Sequence, residues 1–304
     1  MRDLNIPLPV LRAAINPLFR VMLNARLPFT VQRTLMDAAS RIQFVPAGTT
    51  VRRTRLGGRP AEQLTAGRAE PTTAVLYLHG GGYAVGSMAT HRSLAARLAH
   101  ETGAAVFLLD YRLAPEHPFP AALDDAVAAF DELVAAGYAP ESIAIAGDSA
   151  GGGLSLATAQ RLLAEQNRRP AALGLIAPWT DPTGTPARER DLVVSRPWAL
   201  ACAAAYLGDG DPGVPGYAPL RASMHGLPPT YVQADIDELL HEQCVELVQA
   251  LRDAGVHVRF TESRGLWHVA QLQASLAAPA AAAVRELSEF LREALQPVDM
   301  RHLG

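Results

Sequence analysis

The 304-residue sequence predicts an α/β fold in which a mostly parallel, twisted sheet carries helices on both faces. From residue 73 onward, short β-branched or apolar runs alternate with longer stretches of helical periodicity. Hydrophobic residues make up 49% of the chain, which is enough to fill the core of one large domain. We therefore expect a single sheet-centred core with any smaller part appended to it.

Six strands are predicted for this core, at residues 74–79, 104–111, 142–147, 172–178, 229–235 and 257–263. Helical patterns fall near residues 90–101, 121–136, 150–166, 239–253 and 270–295, the last with Pro279 at a kink or restart. A further strand pair near residues 50–64, broken at Gly57-Gly58, suits an antiparallel edge joined by a turn.

One interval, residues 181–227, interrupts this alternation with repeated Pro and Gly and a single apolar helical piece near 198–207. We expect it to be an insertion that joins residues 1–45 in a cap over the functional site. The core then consists of residues 46–180 and 228–304.

The N-terminal part of this cap is apolar at helical spacing, at Leu11, Ile15, Leu18, Val21 and Met22. Charged residues and prolines interrupt the run, so it fits neither a secretory signal nor a membrane span. We expect an amphipathic segment that docks on the protein's own surface, with peripheral lipid contact as the alternative.

The charge and the cysteine content of the sequence limit the binding partners and the compartment that we expect for the protein. A formal net charge of −3 gives no basic field for nucleic acid, so none is expected as a partner. Cys202 and Cys244 lie in apolar helical patterns and are expected to be free thiols of a cytoplasmic protein. Because the sequence has no cluster of His and Cys residues with the spacing of metal ligands, we expect neither a metal nor an organic cofactor.

The pattern Gly-Asp-Ser-Ala-Gly at residues 147–151 follows a predicted strand and precedes a predicted helix, with Ser149 at the junction. This is the context of a nucleophile elbow, where a strained turn exposes a serine hydroxyl beside the N–H groups of a helix start. A glycine-rich turn that only packs or binds phosphate is the alternative.

Three glycines follow His79 at the end of the first central strand. Because they lack a Cβ, several backbone N–H groups can converge there on one developing negative charge, as acyl transfer requires. The alternative is a flexible loop.

A nucleophilic serine needs a base and an acid to orient that base. His268 is the predicted base, because it lies in a loop after the last strand. Asp235, Asp237 and Glu238 all fall near the preceding strand end. Asp237 is the preferred acid, since Asp235 completes the strand and Glu238 belongs to the first helical turn.

Several segments together resemble the hormone-sensitive-lipase-like branch of the α/β-hydrolases, also called bacterial family IV esterases. They are "HGGG" at 79–82, "DYRLAPEHPFPAALDDA" at 110–126, "GDSAGG" at 147–152, "APWTD" at 177–181 and "GLPPTYVQ" at 226–233. The resemblance implies an α/β-hydrolase fold with a helical cap. It departs from the family at Trp267-His268-Val269, where many relatives have His-Gly-Phe.

Carried over position by position, the resemblance implies that Ser149, Asp237 and His268 form a catalytic triad. The oxyanion donors that it implies are the backbone N–H groups of Gly81, Gly82 and Ala150. It also implies a serine carboxylesterase that hydrolyses short- to medium-chain esters through an acyl-enzyme. A deacetylase, lactonase or amidase would use the same groups. A lipase acting at lipid interfaces and a non-catalytic binding protein are less favoured.

Apolar walls for a small-molecule ester are predicted at Leu18, Met22, Tyr83, Trp198 and Tyr206, with Phe19 and Leu23 beside them. The alternative is that these residues form the cap's own small core. No stable membrane insertion is expected. Edge strands and final helices can pair in such proteins, so a homodimer stays open.

Overall fold

One sheet of eight strands forms the centre of the computed structural model, which describes residues 4–40, 44–67 and 71–296. The strands are β1 (Thr49–Leu56), β2 (Arg59–Ala66), β3 (Ala74–Leu78), β4 (Ala105–Leu109), β5 (Ile143–Asp148), β6 (Leu173–Ile176), β7 (Thr230–Asp235) and β8 (Val258–Ser263). The predicted segments 1–45, 46–180 and 228–304 include residues 1–3, 41–43, 68–70 and 297–304, which lie outside the described residues.

The strand order is β1-β2-β4-β3-β5-β6-β7-β8. The β1–β2 and β2–β4 pairs are antiparallel, whereas all pairs from β4 through β3 to β8 are parallel. Every residue of β3 to β7 is buried, as expected for strands covered on both faces. The predicted mostly parallel sheet with an antiparallel edge is confirmed.

Helices cover both faces of the sheet. They are α1 (Leu8–Met22), α2 (Phe29–Ser40), α3 (Met88–Thr102), α4 (Ala121–Ala135), α5 (Ala150–Gln166), α6 (Arg196–Leu207), α7 (His241–Asp253) and α8 (Ala278–Leu295). Leucines of α3 and α8 pack in one core cluster, and those of α4, α5 and α7 pack in another. The helix predicted for 270–295 begins later, because Pro279 occupies its first turn and a short 3-10 turn precedes it.

The register of the parallel strands determines where the connecting loops meet. Leu78 pairs with Gly147, Asp148 with Ile176, and Asp235 with Ser263. The carboxyl ends of β3, β5, β7 and β8 therefore reach the same edge of the sheet. The loops that follow them are brought together there, as in other open parallel sheets.

Helix α1 docks on the loop that follows β8. Leu11 and Ile15 pack with Leu266 and Trp267, and the Arg12 guanidinium donates to the carbonyls of Gly265 and Leu266, at 2.8 and 2.7 Å. The N-terminal segment is thus held against the sheet edge where the loops converge.

The predicted apolar face of α1 is wrong at two positions. Leu18 is 44% exposed and Val21 is also exposed, whereas Met22 is buried and Phe19 is partly buried. The buried face is rotated toward Phe19, so Leu18 lies at its border and Val21 beyond it.

Cys202 and Cys244 are both buried and free. Across the described ranges, no helix has the length and apolar character needed to cross a membrane.

Candidate active site

Ser149 occupies a strained turn between β5 and α5, with φ 52° and ψ −121°. Its N–H donates to the Ile176 carbonyl at 2.8 Å, and its own carbonyl accepts from the Trp179 N–H at 2.8 Å. A side chain at Gly151 would collide with the Leu78 carbonyl, so only glycine lets α5 start this close to β3. The turn holds the serine hydroxyl at the sheet edge, as the motif predicts.

The hydroxyl of Ser149 meets the imidazole of His268. The distance between Ser149 Oγ and His268 Nε2 is 2.9 Å, and both side chains are buried. His268 follows β8 in the loop that Arg12 holds, and Val269 after it has a left-handed φ of 55°. Two residues that are 119 positions apart in the chain are therefore within hydrogen-bonding distance.

The carboxylate behind His268 belongs to Glu238. Glu238 Oε1 lies 3.6 Å from His268 Nδ1, and both side chains are buried. This separation is longer than a hydrogen bond. Within the described part of the chain, neither atom has another hydrogen-bonding partner, so each is left facing the other. The two groups therefore lie within ion-pair distance whenever His268 is protonated.

Asp237, the acid preferred from the sequence, does not lie beside His268. Its side chain is 57% exposed, and its carboxylate is 3.9 Å from the Arg188 guanidinium. The Glu238 N–H donates to the Asp235 carbonyl at 3.1 Å, which forms a tight turn with Asp237 on its outer side. Helix α7 begins only at residue 241, so Glu238 belongs to this turn and not to a helical first turn. The structure therefore places Glu238, and not the preferred Asp237, beside His268.

Asp235 has a different part in the site. Its buried Oδ2 accepts from Ser263 Oγ and from the Leu266 N–H, both at 2.9 Å. Its Oδ1 accepts from the Asp237 N–H at 3.1 Å. One carboxylate thus joins the ends of β7 and β8 and holds the loop that carries His268.

Asp191, in the inserted segment, contacts the same region and was not identified from the sequence. Its Oδ2 accepts from the Leu239 N–H at 2.8 Å, while Oδ1 accepts from the N–H groups of Val193 and Val194 at 2.7 and 2.6 Å. The insertion is therefore hydrogen-bonded to the residue that follows Glu238.

Burial and neighbouring charges set the ionisation of this pair. Burial raises the pKa of Glu238, and the charge of Asp191 raises it further, although the facing His268 opposes both effects. Burial alone would lower the pKa of His268, but the Glu238 carboxylate and the charges of Asp191 and Asp148 outweigh burial and raise it. Both groups therefore keep their protons to higher pH than they would in water.

The glycine loop after β3 lies on the other side of the serine. Gly81 and Gly82 have φ values of 123° and 60°, and a Cβ on Gly81 would collide with the Val85 carbonyl. Gly81 borders the same cavity as Ser149. Ala150 is the first residue of α5, so its N–H has no acceptor within the helix. Gly81 and Ala150, two of the three predicted oxyanion donors, thus lie beside Ser149, and Gly82 follows Gly81 in the same loop.

A buried carboxylate supports this loop. Asp148 Oδ1 accepts from Tyr77 Oη at 2.8 Å and from the Gly80 N–H at 3.1 Å, and Oδ2 is 3.2 Å from His91 Nε2. Burial raises the pKa of Asp148, but the contacts with His91 and Tyr77 outweigh it and lower that pKa overall. A charged Asp148 therefore fixes the start of the glycine loop. No pattern in the sequence marks His91 as a member of this network.

His79 stands beside this network without the geometry of a base. Burial and the neighbouring His91 lower the pKa of His79 to about 3, so it is neutral. Its Nδ1 donates to the Gly80 carbonyl at 2.9 Å, and its ring stacks on Tyr111 at 4.3 Å. These contacts shape the loop.

A cavity of about 50 Å³ lies over Ser149 and His268. Its apolar walls come from the N-terminal segment, the insertion and the loop after β8: Phe19, Leu23, Met36, Val193, Val194, Trp198, Val269 and Leu272. Residues from both predicted cap segments therefore border the same cavity as Ser149 and His268.

Of the five wall residues predicted first, Trp198 borders this cavity and the others do not. Tyr83 and Tyr206 stack at 3.7 Å in the buried core, Met22 is buried outside the lining, and Leu18 faces solvent. Both tyrosines belong to the large core cluster that includes the sheet, and not to a separate small core of the cap. Phe19 and Leu23 take the positions expected for a wall.

Over the described ranges, no group of three or more His, Cys, Asp or Glu side chains is arranged to hold a metal ion.

Comparison with known proteins gives a consistent assignment. A family model described as the alpha/beta hydrolase fold matches residues 75–272. The chain is 39% identical over 230 residues to an acetyl-hydrolase of Streptomyces hygroscopicus, covering 74% of this chain and 76% of that protein. It is 33% identical over 264 residues to an esterase of Acinetobacter venetianus, covering 85% and 87% of the two chains.

Solved structures agree with the sequence matches. The crystal structure of an esterase from the bacterial hormone-sensitive lipase family is similar, with a TM-score of 0.88 at 35% identity, over 94% of this chain and 98% of that one. The resemblance noted in the sequence is thereby confirmed. The chain belongs to the alpha/beta hydrolase fold family, in its hormone-sensitive-lipase-like branch, and is a carboxylic ester hydrolase.

Proposed function

We propose that the protein hydrolyses esters of short acyl chains, acetyl above all, through an acyl-enzyme on Ser149. The observation that carries this proposal is the buried row of Ser149, His268 and Glu238, with Ser149 Oγ 2.9 Å from His268 Nε2. A serine becomes nucleophilic when an oriented base can remove its proton, and this row supplies the base and the acid behind it.

In the first step, His268 Nε2 takes the Ser149 proton as Oγ attacks the acyl carbon. The negative charge on the former carbonyl oxygen is stabilised by the N–H groups of Gly81, Gly82 and Ala150. His268, now protonated, is paired with Glu238 across the 3.6 Å gap and gives its proton to the departing alcohol.

In the second step, water replaces the alcohol. His268 removes a proton from that water, the resulting hydroxide attacks the acyl carbon, and the same N–H groups stabilise the charge again. The acid leaves as Ser149 regains its proton. Glu238 keeps the imidazole oriented through both steps and stabilises its positive charge.

The preference for a short acyl chain follows from the walls of the cavity, which measures about 50 Å³. Trp198 contributes one wall and packs close to Gly82. Its Nε1 donates to Gln32 Oε1 at 2.8 Å, and the buried Gln32 amide donates in turn to the Leu27 carbonyl at 2.8 Å. The indole is therefore held in place, so a long acyl chain would have to displace it.

A deacetylase that acts on one acetylated metabolite is the second candidate. The small cavity favours it, and so does the similarity to a protein named acetyl-hydrolase. The two candidates share the same catalytic groups and differ in the alcohol half of the substrate.

Dissolved p-nitrophenyl esters of increasing acyl length test the proposed activity. We expect the acetate to have the highest kcat/KM, with a steady decline as the acyl chain lengthens. Ser149→Ala should lower kcat by up to about a millionfold, because the nucleophile is gone. A folded parent protein that prefers long-chain esters, or an active Ser149→Ala variant, would contradict the proposal.

Trp198→Ala should move the preference toward longer acyl chains. Removing the indole enlarges the cavity, so the ratio of octanoate to acetate kcat/KM should rise by about tenfold. Leu200→Ala is the matched control, because Leu200 lies on the same helix and is 43% exposed. An unchanged ratio in the Trp198 variant would show that this wall does not limit the acyl chain.

Paired substitutions distinguish the two candidate acids. Glu238→Gln should lower kcat by roughly a hundredfold to ten-thousandfold, because His268 loses its orienting charge. Asp237→Asn removes only an exposed contact and should change kcat by less than about twofold. Steady-state kinetics with folding checked by circular dichroism measures both effects, and the reverse ranking would restore Asp237 as the acid.

The pH profile of kcat/KM should report His268. The base must be neutral to act, so activity falls as pH drops through its pKa, which is raised above the ordinary 6.5. The midpoint of the acidic limb should therefore lie above pH 6.5 in the parent protein. In Glu238→Gln, burial acts without the opposing carboxylate, so the residual activity should have its midpoint at lower pH. A midpoint that does not move would contradict this account of the pKa.

A further inference from the structure

A second cavity of about 450 Å³ opens beside the catalytic one, and we name it the vestibule. It is bordered by Arg20, Leu23 and Arg26 from the N-terminal segment and by Glu189, Arg190 and Ser195 from the insertion.

The vestibule and the catalytic cavity are separated by very little protein. Leu23 borders both of them. The insertion also lies between them, with Val194 and Trp198 on the catalytic side and Ser195 and Pro197 on the outer side. Leu23 is thus the side chain that a substrate would have to pass to reach from the catalytic cavity into the vestibule.

The vestibule carries an excess of positive charge. Among the described residues that line it, the one carboxylate belongs to Glu189, which is paired at 2.6 Å with the guanidinium of Arg196. The Arg20 guanidinium donates to the neutral Asn16 side chain, at 2.9 Å. Across the residues that the structure describes, no carboxylate lies within ion-pair distance of Arg26 or Arg190. The protein as a whole has a formal net charge of −3, so this local excess opposes its overall balance.

We propose that the vestibule selects esters whose alcohol half carries an anionic group. This inference rests on the proposed function, because a catalytic cavity of about 50 Å³ that takes the short acyl group leaves the alcohol to extend outward. Guanidinium groups bind carboxylate and phosphate oxygens through paired N–H donors. Exposed positive charges at the mouth of a cleft also raise the rate at which anionic substrates arrive.

A matched pair of acetyl esters tests the proposal: para-acetoxybenzoate, which carries a carboxylate, and its neutral methyl ester. Acetate release gives kcat/KM for each at low ionic strength. The quantity compared is the ratio of anionic to neutral kcat/KM, and comparing this ratio between proteins cancels the intrinsic reactivity of the two esters. We expect Arg26→Gln combined with Arg190→Gln to lower the ratio by about tenfold.

The control variant removes the same amount of positive charge from a part of the surface outside the vestibule. Arg252→Gln combined with Arg292→Gln changes the last turns of α7 and α8 and should leave the ratio as in the parent protein. Added salt should also lower the parent ratio, because it screens exposed charges, and should have a smaller effect on the vestibule variant.

The possible outcomes separate this proposal from the one on which it rests. A parent protein that hydrolyses the neutral acetyl ester, but whose ratio is the same in both double variants and unaffected by salt, overturns the vestibule proposal and leaves the esterase proposal standing. A folded parent protein that hydrolyses neither ester overturns both proposals. Equal losses in the two double variants would assign the effect to net charge, which also overturns a role for the vestibule.

Discussion

The pairing of the parallel strands is the constraint on which the rest of this structure depends. Hydrogen bonding aligns β3, β5, β7 and β8 so that all four end at one edge of the sheet. Each loop beyond that edge contributes one part of the site: the glycine loop, Ser149, Glu238 and His268. A shift of one strand by a single residue would reverse the faces of its side chains and separate the groups that now lie within hydrogen-bonding or ion-pair distance of His268.

Much of the fold follows from local patterns in the sequence. Fully apolar runs predict buried parallel strands, and Gly57-Gly58 predicts the antiparallel edge turn, because such patterns depend on neighbouring residues. The face of α1 was harder to predict, since Leu18 and Phe19 are both apolar and only the surface opposite the helix decides which is buried. The same limit applies to Tyr83 and Tyr206, whose stacking requires residues 123 positions apart to meet.

The site, like the fold, has parts that local sequence patterns predict and parts that they do not. Ser149 and the glycine loop are recognisable because strained turns need particular residues at adjacent positions. The acid cannot be recognised in this way, because Asp235, Asp237 and Glu238 are chemically similar. Which of their side chains faces His268 depends on one tight turn. The carbonyl of Asp235 closes that turn and sends Asp237 outward to solvent. His91 and Asp191 act through distant partners, Asp148 and Leu239, so no local pattern marks either of them.

Asp191 bears on how such a protein can be altered. Its carboxylate binds the insertion at Val193 and Val194, which form part of the cavity wall, and also binds the backbone next to Glu238. The wall of the cavity over Ser149 and the backbone beside Glu238 are thus attached to one side chain. Grafting a different insertion to obtain a new selectivity would alter the turnover rate as well, unless the graft supplies an acceptor for the Leu239 N–H.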